Sequence, residues 1–151
     1  MKDPIVEITH SEEFSASHRL HDPSLSDEEN RALYGICNNP NGHGHNYGLA
    51  VSVRGPVPAS GMVMNLTDLM RLMREELLPR VDHKHLNHDV AFLAEVIPTA
   101  ENIAIALWRE LEEPIAAFGE ARLCRLRLHE SRGNWVELRQ DPERSSDGTN
   151  Q

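Results

Sequence analysis

Apolar positions along the chain recur with two periods, and these divide it into strands and helices. From Ile5 to Leu20 the segment reads as extended, with Phe14, Ala16, His18 and Leu20 on one face, because strand side chains alternate. A turn rich in Gly, Asn and Pro, Cys37 to Gly44, leads into a second strand. There His43, His45, Tyr47, Leu49, Val51 and Val53 share a face. Between Asn65 and Leu78 the period becomes helical, with Leu66, Leu69, Met70, Met73 and Leu77 as the stripe and Pro79 as the stop. A second helix starts after Thr99, a good N-cap, and runs through Ile103, Leu107 and Leu111 to Pro114. Ser26 followed by Glu29 forms a capping box and predicts a short helix up to Tyr34. Two strands, Ala121 to Glu130 and Asn134 to Gln140, close the pattern around a Ser-Arg-Gly turn. Two strands, two helices and two strands predict an α+β domain with an antiparallel sheet.

Composition narrows the function classes. A chain of 151 residues suits one domain, placed here at residues 1–140, and the polar tail from Asp141 to Gln151 is predicted to be disordered. The net charge of -9 argues against nucleic-acid binding, which needs a basic stripe to displace phosphate counterions. Met1 to Glu7 carries no apolar signal core, and no run approaches the roughly 20 apolar residues of a membrane span. Two cysteines, Cys37 and Cys124, form no disulfide framework, so a cytoplasmic location is expected.

Nine histidines are many for this length, and their spacing decides what they mean. His43 and His45, at i and i+2 on a strand, project both imidazoles from one face, and strand pairing can bring His18 beside them. Three neutral imidazoles suit Zn²⁺ and leave a position open, the pattern of a catalytic site. Gly44 between them keeps the opposite side uncluttered. Cys37, at the mouth of the same turn, is either a fourth ligand that closes the site or a free thiol. In the second case a neighbouring dication would lower its pKa and it would serve as a base. Cys124, alternating with Leu126 and Leu128, reads as an inert core thiol.

Asp82-His83-Lys84-His85-Leu86-Asn87-His88 is a second cluster. Asp82 and His83 can work as a pair, the carboxylate orienting the imidazole, if the chain turns there. The rival reading is a second metal site from His83, His85 and His88; the plainer one is a solvated loop. Glu130 ends the row of Cys124, Leu126 and Leu128, where a carboxylate is costly unless paired. It either accepts hydrogen bonds from a guanidine-like edge, such as that of a pterin or purine, or meets water where the strand frays. Glu101 fits the helix dipole at the start of its helix, and Trp108, Met70 and Met73 fit helix cores.

Several segments together resemble the 6-pyruvoyltetrahydropterin synthase family. They are Phe14-Ser-Ala-Ser-His-Arg-Leu20, Cys37-Asn-Asn-Pro-Asn-Gly-His-Gly-His-Asn-Tyr47, Gly61-Met-Val-Met-Asn-Leu66, Asp82-His-Lys, Thr99-Ala-Glu-Asn102 and His129-Glu130. The likeness spans Glu13 to Leu138. It implies a tunnelling fold (T-fold): a four-stranded antiparallel sheet with two helices on one face, and subunits whose sheets join into a barrel. Such subunits form trimers that stack into a homohexamer, with active sites at the interfaces. The resemblance places zinc on His18, His43 and His45. Catalysis falls to Cys37, Asp82 and His83, and substrate binding to Glu130, Thr99 and Glu101. The implied reaction converts 7,8-dihydroneopterin triphosphate to 6-pyruvoyltetrahydropterin with loss of triphosphate, without redox cofactor, nucleic acid or membrane.

Two alternatives frame this expectation. The related 6-carboxytetrahydropterin synthase of queuosine biosynthesis shares fold, histidines and substrate, but has fewer residues between cysteine and His-x-His than the five between Cys37 and His43. A non-catalytic zinc-binding scaffold would instead need Cys37 as a ligand and Glu130 at the surface. Ala100 after Thr99 and the Ser131-Arg132-Gly133 turn depart from the family's pattern.

Overall fold

The computed structural model describes residues 3–140, so the tail expected to be disordered lies outside them. Two strands of 14 residues, β1 (Ile5–His18) and β2 (His43–Pro56), pair antiparallel along their whole length. β4 (Arg122–Ser131) pairs with β2, and β5 (Asn134–Arg139) with β4, both antiparallel. The expected four-stranded sheet gains a fifth member at its other edge. This is β3 (Lys84–His85), two residues running parallel to β1 at Ala16 and Ser17, and the order is β3-β1-β2-β4-β5.

Three helices accompany the sheet. α1 (Asp27–Tyr34) starts at the expected capping box, with the Ser26 hydroxyl accepting from the Glu29 N–H and Glu29 reaching back to the Ser26 N–H. α2 (Leu66–Arg71) continues without a break as a π-helical turn over Leu72–Leu77 and a 3₁₀ turn over Leu78–Arg80. The wider π turn changes which residues face inward. Leu69, Leu72, Met73, Leu77 and Leu78 are buried, while Leu66, expected in the stripe, is exposed and Met70 only partly covered. Pro79 does not stop this helix, because it sits in the first positions of the 3₁₀ turn, where a missing N–H costs little.

α3 (Ala100–Ala116) likewise runs two residues past Pro114. Its last turn is held by Ile115, which with Ile103, Leu107 and Leu111 is almost wholly buried. Burial of such side chains contributes about 1.5–3 kcal/mol each, against one lost backbone hydrogen bond at the proline. α3 packs on β4 and β5, and α2 on β1.

One bulge changes the reading of a cysteine. Between β2 and β4 the register shifts at Ser52/Val53, so that Ser52 opposes Arg125 and Val53 opposes Leu123. The extra residue, Cys124, leaves the alternation with Leu126 and Leu128. It is buried yet outside the apolar cluster, donating its S–H to the Ser52 carbonyl at 3.3 Å. Burial first, and the Glu7 carboxylate after it, push its pKa up to about 11.

Candidate functional site

The site begins with strand register. His18 ends β1 and His43 begins β2, and the two are direct partners; Ala16 opposes His45, and Phe14 opposes Tyr47. Period-two alternation puts all three imidazoles on the face that buries Phe14, Tyr47 and Leu49. Their ligating nitrogens lie within 4.8 Å of one another, with His18 Nε2 and His43 Nε2 3.2 Å apart. Each pair of rings is close to perpendicular, so the three converge on one point instead of stacking. Among the described residues no other group of three or more such side chains converges in this way.

Two details fit this trio to a metal ion. His18 is 0% exposed, and its Nδ1 lies 2.8 Å from the Pro98 carbonyl, which has no proton to give. The proton therefore sits on Nδ1, and Nε2 presents a lone pair inward, the usual arrangement behind a metal ligand. His45 Nε2 is buried without a hydrogen-bond partner among the described residues, an orphan that a bound cation would satisfy. Burial, the largest cause, holds both His18 and His45 below the ordinary imidazole pKa and so keeps their lone pairs available.

The turn between the strands is built to a close tolerance at Gly42. It takes a φ of 72°, and a Cβ there would lie 2.7 Å from the His18 carbonyl oxygen and 3.2 Å from His85 Nε2. Gly44, singled out from the sequence, is less demanding, since a Cβ would meet only the Ala16 oxygen at 3.4 Å. Cys37 sits in the 3₁₀ turn Gly35–Asn38, tied to the end of β1 by the Leu20 N–H bond to its carbonyl, 2.9 Å. It is half-buried and does not belong to the converging trio. In the protein alone its thiol pKa is raised, by burial first and then by the Glu130 carboxylate, the reverse of what a neighbouring dication would do. Glu130 does not fray: it lies within β4, its side chain 28% exposed, with Oε1 3.6 Å from His45 Nε2.

The other expected residues lie apart. Asp82 and His83 do form a pair, Nδ1 to Oδ1 2.9 Å, in a turn where His83 takes a φ of 58°. Asp82 also accepts from the Ser15 N–H at 2.9 Å, and its carboxyl is held below the ordinary value, first by that bond and then by His83. His83 is 81% exposed. It lines a shallow depression with Ser15, Ser17, Gly44, His45 and Asn46, and strand alternation puts the Ser15, Ser17 and Asn46 side chains on the sheet face opposite the three imidazoles. His85 and His88 stack at 4.4 Å and form no metal-holding group with His83, so a second metal site is not met among the described residues. Thr99 caps α3, its hydroxyl accepting from the Asn102 N–H at 3.2 Å, and Glu101 points to solvent in the first turn.

Two contributors escaped the sequence reading. Pro98 acts through a backbone carbonyl, which leaves no side-chain signal. Tyr47 looked like one more member of the apolar face, although its hydroxyl is a polar atom in a buried row. No helix among the described residues is long and apolar enough to cross a membrane.

Comparison with known proteins places these features in a family. The profile described as 6-pyruvoyl tetrahydropterin synthase matches residues 7–141. The 6-pyruvoyl tetrahydrobiopterin synthase of Homo sapiens is 48% identical over 82% of this chain and 83% of its own length. That of Poecilia reticulata is 47% identical over 87% and 88%. A solved structure of 6-pyruvoyl tetrahydropterin synthase from Caenorhabditis elegans superposes with a TM-score of 0.84 at 37% identity, covering 93% of this chain and 99% of that one.

Proposed function

This chain belongs to the 6-pyruvoyl tetrahydropterin synthase family, and we propose that it converts 7,8-dihydroneopterin triphosphate to 6-pyruvoyltetrahydropterin with elimination of triphosphate, acting as a lyase. The observation that carries this reading is the orphaned His45 Nε2, within a trio of imidazoles that also has Cys37 and Glu130 at its side.

His18, His43 and His45 would hold the metal, which we take to be Zn²⁺ from the all-nitrogen, three-ligand set. Bound there, it would supply Lewis acidity to the oxygens of the substrate side chain. The remaining work belongs to the protein. Glu130 accepts N–H bonds from the guanidine-like edge of the pterin ring, fixing the ring so that its side chain meets Cys37. With the dication bound, the thiol pKa would fall from the raised position it has in the protein alone, so that Cys37 can take up a proton from one carbon and return it to the next. Asp82 orients His83 and stabilises its cation, making the pair a proton acceptor and donor for the same shuttle. Thr99 and Glu101, at the head of α3, would add substrate contacts.

Asp82 and His83 occupy the far face of the sheet, so they would serve the site of a neighbouring subunit. Joined sheets are supported by the edges: β5 has no partner on its outer side among the described residues, and β3 covers only two residues of β1. Unpaired edges of this length are normally closed. We therefore propose a trimer closing into a barrel, and two trimers forming a hexamer, from a single-domain chain over residues 1–140 in the cytoplasm. A metal-binding scaffold would have Cys37 among the converging ligands and Glu130 at the surface; neither is found.

Release of inorganic triphosphate tests the proposal. The assembled protein should liberate one triphosphate per pterin, stop when a chelator removes the metal, and resume when zinc is restored. Release that ignores the chelator would overturn the zinc assignment.

A further inference from the structure

Among the described residues two side-chain polar atoms are buried without a hydrogen-bond partner, and they lie in the same place: His45 Nε2 and the Tyr47 hydroxyl. A metal ion accounts for the first. The three imidazoles already supply the ligand set of such a site, so the second calls for a partner of its own. A buried hydroxyl without a partner disfavours the fold, and phenylalanine would fill the same row without that cost.

The surroundings limit what the hydroxyl can do. Tyr47 opposes Phe14 on β1, and the rings stack at 5.0 Å with 14° between planes. The edges of His45 and His18 meet it at 5.5 and 6.1 Å. The ring is thereby fixed in direction. On its other side the last β2–β4 pair is Gly48 with His129, so one further step sets Tyr47 opposite Glu130 on the same face. Glu130 is the acceptor across the strand from this unpaired donor.

The contact Glu130 makes in its absence is a poor one. Its Oε1 lies 3.6 Å from His45 Nε2, beyond hydrogen-bond reach, and a ring nitrogen offering a lone pair attracts no carboxylate. An ionised carboxylate has about four acceptor positions, and two N–H groups from a pterin edge occupy only one on each oxygen. Two remain, and a phenol needs one of them.

We infer that Tyr47 is a positioning residue whose hydroxyl donates to Glu130 and locks the carboxylate in the orientation that captures the pterin ring. The inference rests on the pterin reading of the site. Its test is Tyr47→Phe in the assembled, zinc-loaded protein, measured with 7,8-dihydroneopterin, which carries the ring without the triphosphate. Loss of a hydrogen bond to a charged group predicts a Kd about tenfold weaker, with KM following and kcat little changed. Zinc content should stay the same, and the thermal midpoint should hold or rise.

A double-mutant cycle separates action through Glu130 from other roles. In a Glu130→Gln background, Tyr47→Phe should change the Kd by less than about twofold, because the partner is already altered. An unchanged Kd in the single variant would overturn the inference. So would a full tenfold loss in the Glu130→Gln background, or loss of zinc from Tyr47→Phe. If the unaltered protein fails to bind 7,8-dihydroneopterin, the pterin reading falls and takes this inference with it; the other outcomes leave that reading standing.

Discussion

At His18 the deciding contact is made by a backbone atom. The Pro98 carbonyl fixes the proton on Nδ1, and strand register then sets the bare Nε2 beside His43 and His45. The three converging imidazoles were legible in the sequence, because two sit at i and i+2 on a strand and the third ends an apolar face. The Pro98 contact was not, since any residue has a carbonyl. Cys37 and His43 should separate metal binding from chemistry. His43→Ala should lose metal and turnover together, whereas Cys37→Ala should keep its zinc, by elemental analysis, while turnover falls at least about a hundredfold. Release of zinc from Cys37→Ala would make the cysteine a ligand after all. The second cysteine gives a contrast. With its thiol buried and its pKa near 11, Cys124 should resist iodoacetamide in the native protein, and mass spectrometry should find the label on Cys37 alone.

Among the elements, those with a simple period were read correctly and those that change period were not. β1 alternates without interruption and β2 does so up to Val51, and both run as expected apart from small differences at their ends. The Cys124 bulge breaks parity within β4, and the π turn after α2 breaks the helical stripe; both depend on what packs against the segment. The prolines misled for a related reason, since Pro79 starts a new turn and Pro114 sits in a last turn anchored by Ile115. β3 is too short to carry any pattern, being two residues held to β1 by backbone bonds from His83 and Leu86. The N-terminus of α3 joins element to site, because its cap, Thr99, follows the carbonyl that holds His18. Thr99→Ala should cost about 1 kcal/mol of stability. For a chain of this size that lowers the thermal midpoint by roughly 2–4 °C. It should also weaken zinc retention in a chelator competition. A stability loss with unchanged zinc affinity would show that the cap and the His18 contact are independent.

For the whole molecule, the sequence named both halves of the proposed catalytic apparatus, but a single chain does not unite them. The three imidazoles and Glu130 gather on one face of the sheet with Cys37 near Glu130, while His83 is exposed beside Ser15 and Asn46, whose side chains lie on the other. Sequence distance is blind to this, because in the proposed assembly the missing proximity would come from a second chain. Exposed apolar side chains, with Ile36 at 88% and Trp135 at 50%, also fit surfaces that a neighbouring subunit would cover. Mixing two inactive proteins tests the arrangement. Cys37→Ala and His83→Ala, unfolded together and reassembled, should recover about a quarter of the normal activity if each site draws on two chains at random. No recovery would place all the catalytic groups of a site in one chain.

Zinc-loaded protein incubated without oxygen with 7,8-dihydroneopterin triphosphate should yield, by mass spectrometry, a tetrahydropterin that keeps its whole three-carbon side chain as a 6-pyruvoyl group, together with free triphosphate. A 6-carboxy product with released acetaldehyde, or no turnover from the intact oligomer, would contradict the proposed reaction.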